Sequence, residues 1–471
     1  MSRAERAVTA RMSRVAVVVP LDRLRAALVT LADTGSVELA GPLPGPEGAE
    51  LEALRRLERQ PAVDGRVEPR LAPEPVEPGE LESLGRGDLL AGEVELRRRA
   101  EAAVRHGRYA AVVGWTPSDE LERVGSLLAE AGAAVVELPR PSWAEPPTLL
   151  HDARGARPFR PLVDTYGAPR YADVDPTPFA AVAFVVMFGM MFGDVGHGLL
   201  LALLGVLLSR VRTGRLASLR RLWPFAVAGG LAAAVFGVLY GEAFGPTGLV
   251  PAVWLEPTED PEALLLAAIG VGAVLLAVSY GIGIVNRWRE HGRLAALVAP
   301  SGIAGFMVFL GLGLAAAGWY RESIPLGLLA AGLALGGVLL LGAGFHAEAG
   351  RGATAVTQAT VEVVDAGVRV VANVISFTRL AAFGLMHAAL AAVVWDATQA
   401  LWGGAVASAL AVLVFVLGNV LTFSLEALVA GVQALRLEYY ELFSRIFAGE
   451  GRPFSPWHIP LDSPKEAPWR P

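Results

Sequence analysis

Two long apolar runs near the C-terminus carry ionisable residues for which an apolar run has no packing use. The first, ending at Leu401, contains Asp365, Arg379 and His387, and the second, 405–442, contains Glu426 and Arg436. Arg379 lies about 12 residues, or roughly 18 Å of helix, inside its run. That is near the middle of a hydrocarbon core about 30 Å thick. A guanidinium there costs at least ~2.5–3.5 kcal/mol and cannot escape by losing its proton. Packed as antiparallel helices, the two runs set Arg379 level with Arg436. They set His387 level with Glu426, about 12–15 Å further along. Ionisable groups at matched depths inside spans suggest a path for protons. Asp365 falls about 40° off the helical face of Arg379, on the other side of it from His387 and Glu426. The plainer reading is that Glu426 and Arg436 form a buried pair that stabilises a long tilted helix.

The stretches SFTRLAAFGLMHAAL (376–390) and LEALVAGVQALRLEYYELFSRIFAGEGRPFSPW (425–457) resemble the last two membrane segments of the rotary V/A-type ATPase stator, subunit a or subunit I. The resemblance implies that Arg379 faces a rotating ring of small proteolipid (c/K-type) subunits and that Arg436 is a second buried arginine. It implies that His387 and Glu426 are intramembrane relay groups, with Asp365 the acidic group that precedes the first arginine. In such a path a fixed arginine draws the ring carboxylate into its ionised form and repels a cation crossing directly between two half-channels. The counter-charge of Arg379 must come from another helix, and the ring carboxylate is the candidate. The implied partners are the ring, peripheral stalk subunits, the central stalk, the soluble ATPase sector and the lipid bilayer. ATP chemistry would belong to those partners and translocation to this chain, with either H⁺ or Na⁺ as the ion. Two other classes stay open. A secondary transporter would usually carry an internal repeat, and no second copy of SFTRL or LRLEYYELF occurs. A purely structural membrane anchor leaves the matched charges unexplained.

Composition narrows the alternatives. Of 471 residues, 54% are hydrophobic and 18% charged, a membrane protein's balance concentrated after Phe179. Cysteine is absent, so no disulfide or Cys-based metal site exists. Lys465 is the only lysine, and no Gly-Lys-Ser/Thr phosphate loop, GxSxG elbow or HExxH motif is present. No cofactor or metal ion is expected. The arginines of 97–99 alternate with Glu93, Glu95 and Glu101, which reads as a solvated helix face and not a nucleic-acid patch. The N-terminal MSRAERAVTARMSR lacks the apolar stretch of a secretory signal.

The elements that must position the charged runs follow in order. Residues 1–170 read as a cytoplasmic α/β domain, with strands near 14–19, 36–40, 110–115 and 134–138. The order βαβ, two helices, βαβ predicts a ferredoxin-like sheet interrupted by a short helical arm over about 46–106. In the family the arm is typically longer and carries a second lobe. The segment 157–179 is rich in proline and is expected to be an extended tether. Residues 171–450 read as an α-helical polytopic membrane domain of about eight transmembrane helices, the last two long and tilted, followed by a cytoplasmic tail at 451–471. The first apolar run, 179–209, contains MFGDVGHG and is expected to break near Gly193–Gly198, where Asp194 and His197 read as polar groups of a turn cap held by glycines, with a proton role as the alternative. That break keeps Arg210, Arg212, Arg215, Arg220 and Arg221 on the same side as Arg287, Arg289, Arg293, Arg351 and Arg445, which satisfies the positive-inside tendency. Both termini are then cytoplasmic in a multi-pass cell-membrane protein. Glu242 is expected at the outer interface, and Asn286 and His346 at span ends.

Overall fold

A computed structural model describes residues 9–59, 68–141, 144–150, 156–214, 217–349, 353–447 and 449–462. Arg215, Arg351 and the tail beyond Asp462 lie outside the described residues. The chain forms two compact units, one built from Thr9–Leu150 with Gly451 onward, the other from His151–Glu450.

The first unit is a small α/β fold. Strand β1 (Met12–Pro20) is rich in β-branched residues and buries Val15, Val17 and Val19. It pairs antiparallel with β4 (Tyr109–Pro117) and with β5 (Ala134–Leu138). β2 (Glu38–Leu39) adds to the outer edge of β4, giving the order β2-β4-β1-β5. A further strand that the sequence did not suggest, β3 (Val104–His106), turns through Gly107 at φ 57° and also pairs with β4. Helices α1 (Leu24–Thr34) and α5 (Leu121–Glu130) cover the core through Ala27, Leu28 and Leu31 and through Val124 and Leu128.

The arm is only partly separate. Helices α2 (Ala49–Glu58) and α3 (Pro78–Ser83) gather their own cluster around Ala53, Leu57, Leu81 and Leu90. The far end of α4 (Gly87–Ala102) instead sends Leu96 into the main core, where Leu71 is also fully buried. Excising the arm over 46–106 would therefore remove core side chains such as Leu71 and Leu96. The segment after Gly451 belongs to this core as well. Trp457 and Ile459 are buried in it, held by Trp457 N–H to Val37 O at 3.0 Å and Ile459 N–H to Ala32 O at 3.1 Å. Asp462 is bonded to Arg86 at 2.9 Å. Trp457→Ala should cost this unit about 3–5 kcal/mol, the usual penalty for emptying a buried aromatic site. In the full chain, hydrogen exchange should then lose at least ~100-fold protection in β1 while the membrane helices keep theirs. Unchanged exchange in β1 would show that the tail only rests on the surface.

The second unit is helical. Six helices among the described residues are long and apolar enough to cross a membrane: Ala217–Tyr240, Pro261–Val298, Ile303–Tyr320, Ile324–Ala347, Val356–Ala400 and Ala405–Ile446. Two shorter apolar helices precede them, α7 (Thr177–Met191) and α8 (Val195–Arg210). The break between α7 and α8 falls where MFGDVGHG is, and the Asp194 carboxylate accepts the His197 N–H at 2.8 Å as the cap of α8. The expected extended tether is instead partly helical, with a short turn Arg157–Phe159 leading into α6 (Arg160–Tyr166). Pro158 and Pro161 sit in the first turns, where a missing N–H costs nothing. Nor is Asn286, on α10 (Pro261–Val298), a span-end residue facing water. It is 2% exposed, accepts from Val174 N–H at 2.9 Å and donates to Ile446 O at 3.0 Å, tying three segments together. The next two spans, α11 (Ile303–Tyr320) and α12 (Ile324–Ala349), pack backbone to backbone at Gly311 and Gly337, where an added side chain would meet the facing helix.

Candidate functional site

The charged groups of the membrane unit lie on α13 (Ala353–Ser376), α14 (Thr378–Ala400) and α15 (Ala405–Leu437). α13 and α14 are nearly one helix, interrupted at Phe377. There Leu380 N–H turns back to Phe377 O at 3.0 Å, a three-residue step that leaves the Ser376 carbonyl without its usual helical donor. The Arg379 side chain fills that vacancy, Nε donating to Ser376 O at 3.0 Å. Phe377 is fully buried at the break and nests against Gly272, where any side chain would collide with its ring.

Beyond α15 the chain continues as a π-helical turn, Glu438–Phe443. This turn supplies the acid that Arg379 lacks on its own helix: Nη2 donates to Glu441 Oε1 at 2.9 Å. Asn373, with its amide assigned so that both ends find partners, donates to Glu441 Oε2 at 3.2 Å and accepts from Arg445 Nη2 at 2.8 Å. Arg445 in turn donates to the Tyr280 hydroxyl at 2.5 Å and lies 4.8 Å from that ring's centre. Next to this chain is a cavity of about 610 Å³ lined by Arg287, Ser301, Glu362, Arg369, Asn373 and Arg445, among others.

A second group sits on the other side of Arg379, toward the α14–α15 loop. His387 Nδ1–H donates to Glu426 Oε2, both residues being almost fully buried. Depth matching from sequence brought these two together, and they are in contact. His387 Nε2 has no hydrogen-bond partner, and Glu242 Oε2 lies 3.9 Å from it, also unpartnered. Glu242 is therefore not interfacial: it is 5% exposed, folded inward by the turn after α9 (Trp223–Tyr240). His197 is fully buried beside this pair, its ring centre 5.6 Å from that of His387, with neither ring nitrogen hydrogen-bonded and Nδ1 3.9 Å from Asp194 Oδ1. Phe244, held at φ 53°, closes edge-on over His197, in space that Gly196 leaves free. Asp194 braces the turn by accepting Gly245 N–H at 2.9 Å.

The remaining candidates lie elsewhere. Asp365 is exposed, paired with Arg369 one turn on, and does not line the cavity; Glu362, one turn earlier, does. Arg436 is exposed and has no ion pair among the described residues. Sequence reasoning missed Glu441 and also Glu438, which is fully buried with both carboxylate oxygens unpartnered. Both belong to the quoted LEYYELF motif, and a mid-span arginine without an acid on its helix was the signal to search there. Outside the spans, burial pushes the Asp173 carboxyl up to about 7, with Glu290 nearby adding to the effect.

Fold and site together define a multi-pass helical membrane protein with ionisable clusters buried among its spans and a small α/β sheet unit. The sequence profile of the V-type ATPase 116kDa subunit family matches residues 102–222. The chain is 28% identical over 389 residues to the A-type ATP synthase subunit I of Pyrococcus horikoshii, covering 79% of this chain and 57% of that protein. It is 30% identical over 402 residues to the A-type ATP synthase subunit I of Archaeoglobus fulgidus, with 74% and 58% covered. The Aeropyrum pernix protein of the same description is 30% identical over 368 residues, with 68% and 52% covered. The chain belongs to the V/A-type ATPase subunit a/subunit I family. It matches a little more than half the length of these curated relatives.

Proposed function

We propose that this chain is the stator membrane subunit of a rotary V/A-type ATPase and guides ions past a proteolipid ring through two half-channels that Arg379 separates. The observation that carries the reading is the state of the Arg379 guanidinium. Two of its five donors are fixed, to Ser376 O and Glu441, which leaves three without a partner among the described residues while the side chain is still 25% exposed. A pinned, part-filled guanidinium at mid-span suits a carboxylate that arrives on another protein and leaves again. Glu441 holds the arginine between arrivals, so the ring carboxylate competes for donors that are already oriented.

His387, Glu426 and Glu242 then serve the half-channel on one side of Arg379. The cavity lined by Glu362, Arg369, Asn373 and Arg445 serves the other. Asp365 stands near its rim and Arg436 on the exposed flank of α15, where each meets an approaching ion or the ring. The two short helices α7 and α8 complete eight spans when read as a tight pair. The arginine-rich loops then lie in the cytoplasm of a cell-membrane protein with both termini inside. The strand order β2-β4-β1-β5 with α1 and α5 on the sheet supports a ferredoxin-like cytoplasmic domain that ends near Leu150, short of the expected 170, joined by the tail segment 451–462 and available to stalk subunits. ATP turnover belongs to the soluble sector of the complex. Purification in mild detergent tests the partnership: a ring of small apolar helical hairpins should come down with the chain. Its absence from a preparation that retains other membrane partners would refute the reading.

A further inference from the structure

The cluster at the α7–α8 break is built differently from a simple relay. One ligand atom from each of Asp194, His197 and His387 lies within 4.8 Å of the others, and all three residues are buried. Neither ring nitrogen of His197 is hydrogen-bonded, Nδ1 lying 3.9 Å from Asp194 Oδ1, and His387 Nε2 and Glu242 Oε2 lie 3.9 Å apart, also without a hydrogen bond. Four polar atoms buried in one cluster without a hydrogen bond call for an occupant. Water would satisfy them singly. The donor set points further. Two imidazoles with carboxylates suit zinc and its first-row neighbours, whereas magnesium and calcium prefer oxygen alone. His387 is also oriented as metal-bound histidines are: its Nδ1–H is held by the Glu426 carboxylate, which leaves the Nε2 lone pair free on the side of Glu242.

We propose that Asp194, His197 and His387, with Glu242 as fourth ligand, bind one zinc-class divalent ion. Ligand atoms around tetrahedral zinc lie roughly 3.3 Å apart, so the side chains, Glu242 most of all, must close in from their present spacing. Asp194 keeps lone pairs for an ion while it caps α8. Glu256, Glu259 and Asp260 in the loop after α9 give an approaching cation a favourable field. The ion would occupy the groups that the half-channel reading uses for proton relay and would block them. Binding itself rests on the cluster alone, whereas the block rests on that reading.

The full chain, purified in detergent without a polyhistidine tag, is titrated with Co²⁺ as an optical probe. One equivalent should bind with the visible absorption of a four- or five-coordinate nitrogen–oxygen site, and Zn²⁺ should displace it stoichiometrically. His197→Asn and His387→Gln should each lower affinity at least ~100-fold, and His106→Gln, at an exposed strand residue, should leave it unchanged. X-ray absorption on the zinc-loaded wild type, which needs no variant to fold, should register two imidazole ligands. No stoichiometric binding, fewer than two imidazoles, or binding that survives both histidine substitutions would overturn the site. In vesicles holding the intact complex, zinc should slow proton transport. Stoichiometric binding with undiminished transport would uphold the site and count against the half-channel reading.

Discussion

Arg379→Ala should reduce ATP-driven proton transport to about one hundredth of wild type or less, the scale of loss when one fixed donor is removed from a preorganised site. The variant leaves Glu441 buried without its cation, and breaking such a pair costs about 3–5 kcal/mol of stability. A second variant, Arg379→Ala with Glu441→Gln, removes that stranded charge. Its transport should stay lost even where its yield recovers, which separates function from folding. Arg379→Lys keeps a charge but gives up the fork that reaches Ser376 O and Glu441 together, so it should fail nearly as badly. Glu441→Gln should be milder, since Ser376 still anchors the guanidinium, and so should Arg436→Ala, whose side chain is exposed and unpaired. Transport is measured in vesicles of intact complex with ATPase activity recorded alongside. An Arg379→Ala complex that pumps at close to the wild-type rate would mean that this arginine does not separate two half-channels.

Glu426→Gln should slow pumping about 10-fold or more, short of the ~100-fold or greater contribution of a positioned acid–base group that has no stand-in. The amide oxygen can still accept from His387 Nδ1–H, so packing between α14 and α15 should persist and the complex should assemble. What disappears is the ability to take up and release a proton. Glu242, 3.9 Å from the other side of His387, is the reason to expect slowing and not complete loss. A double variant with Glu242→Gln should lose the remainder. Wild-type pumping in the single variant would make Glu426 a structural partner of His387 and nothing more.

Much of this was legible without coordinates because it depends on local chemistry. Alternating valines with turn residues between them mark β1, β4 and β5. The glycines and Asp194 mark the break between α7 and α8, since a capped turn needs only its own residues. Equal depth on antiparallel helices brings His387 to Glu426, because both lie in regular helix where rise per residue is constant. The same arithmetic places Arg436 beside Arg379, yet the guanidinium bonds Glu441. From the His387–Glu426 contact this takes eight residues back along α14 but fifteen forward from α15. The long arginine side chain and the π-helical turn, with its extra residue per turn, absorb the difference, and neither follows from hydrophobic periodicity. Glu242 turned inward, Asn286 tied to two distant backbones, Leu96 and Trp457 in the sheet's core: each was decided by what the rest of the chain brings against it. Sequence alone determined that the apolar runs carry ionisable groups and that His387 and Glu426 share a depth. Only the tertiary structure decided which partner each one meets, because partner choice depends on contacts between segments far apart in the chain.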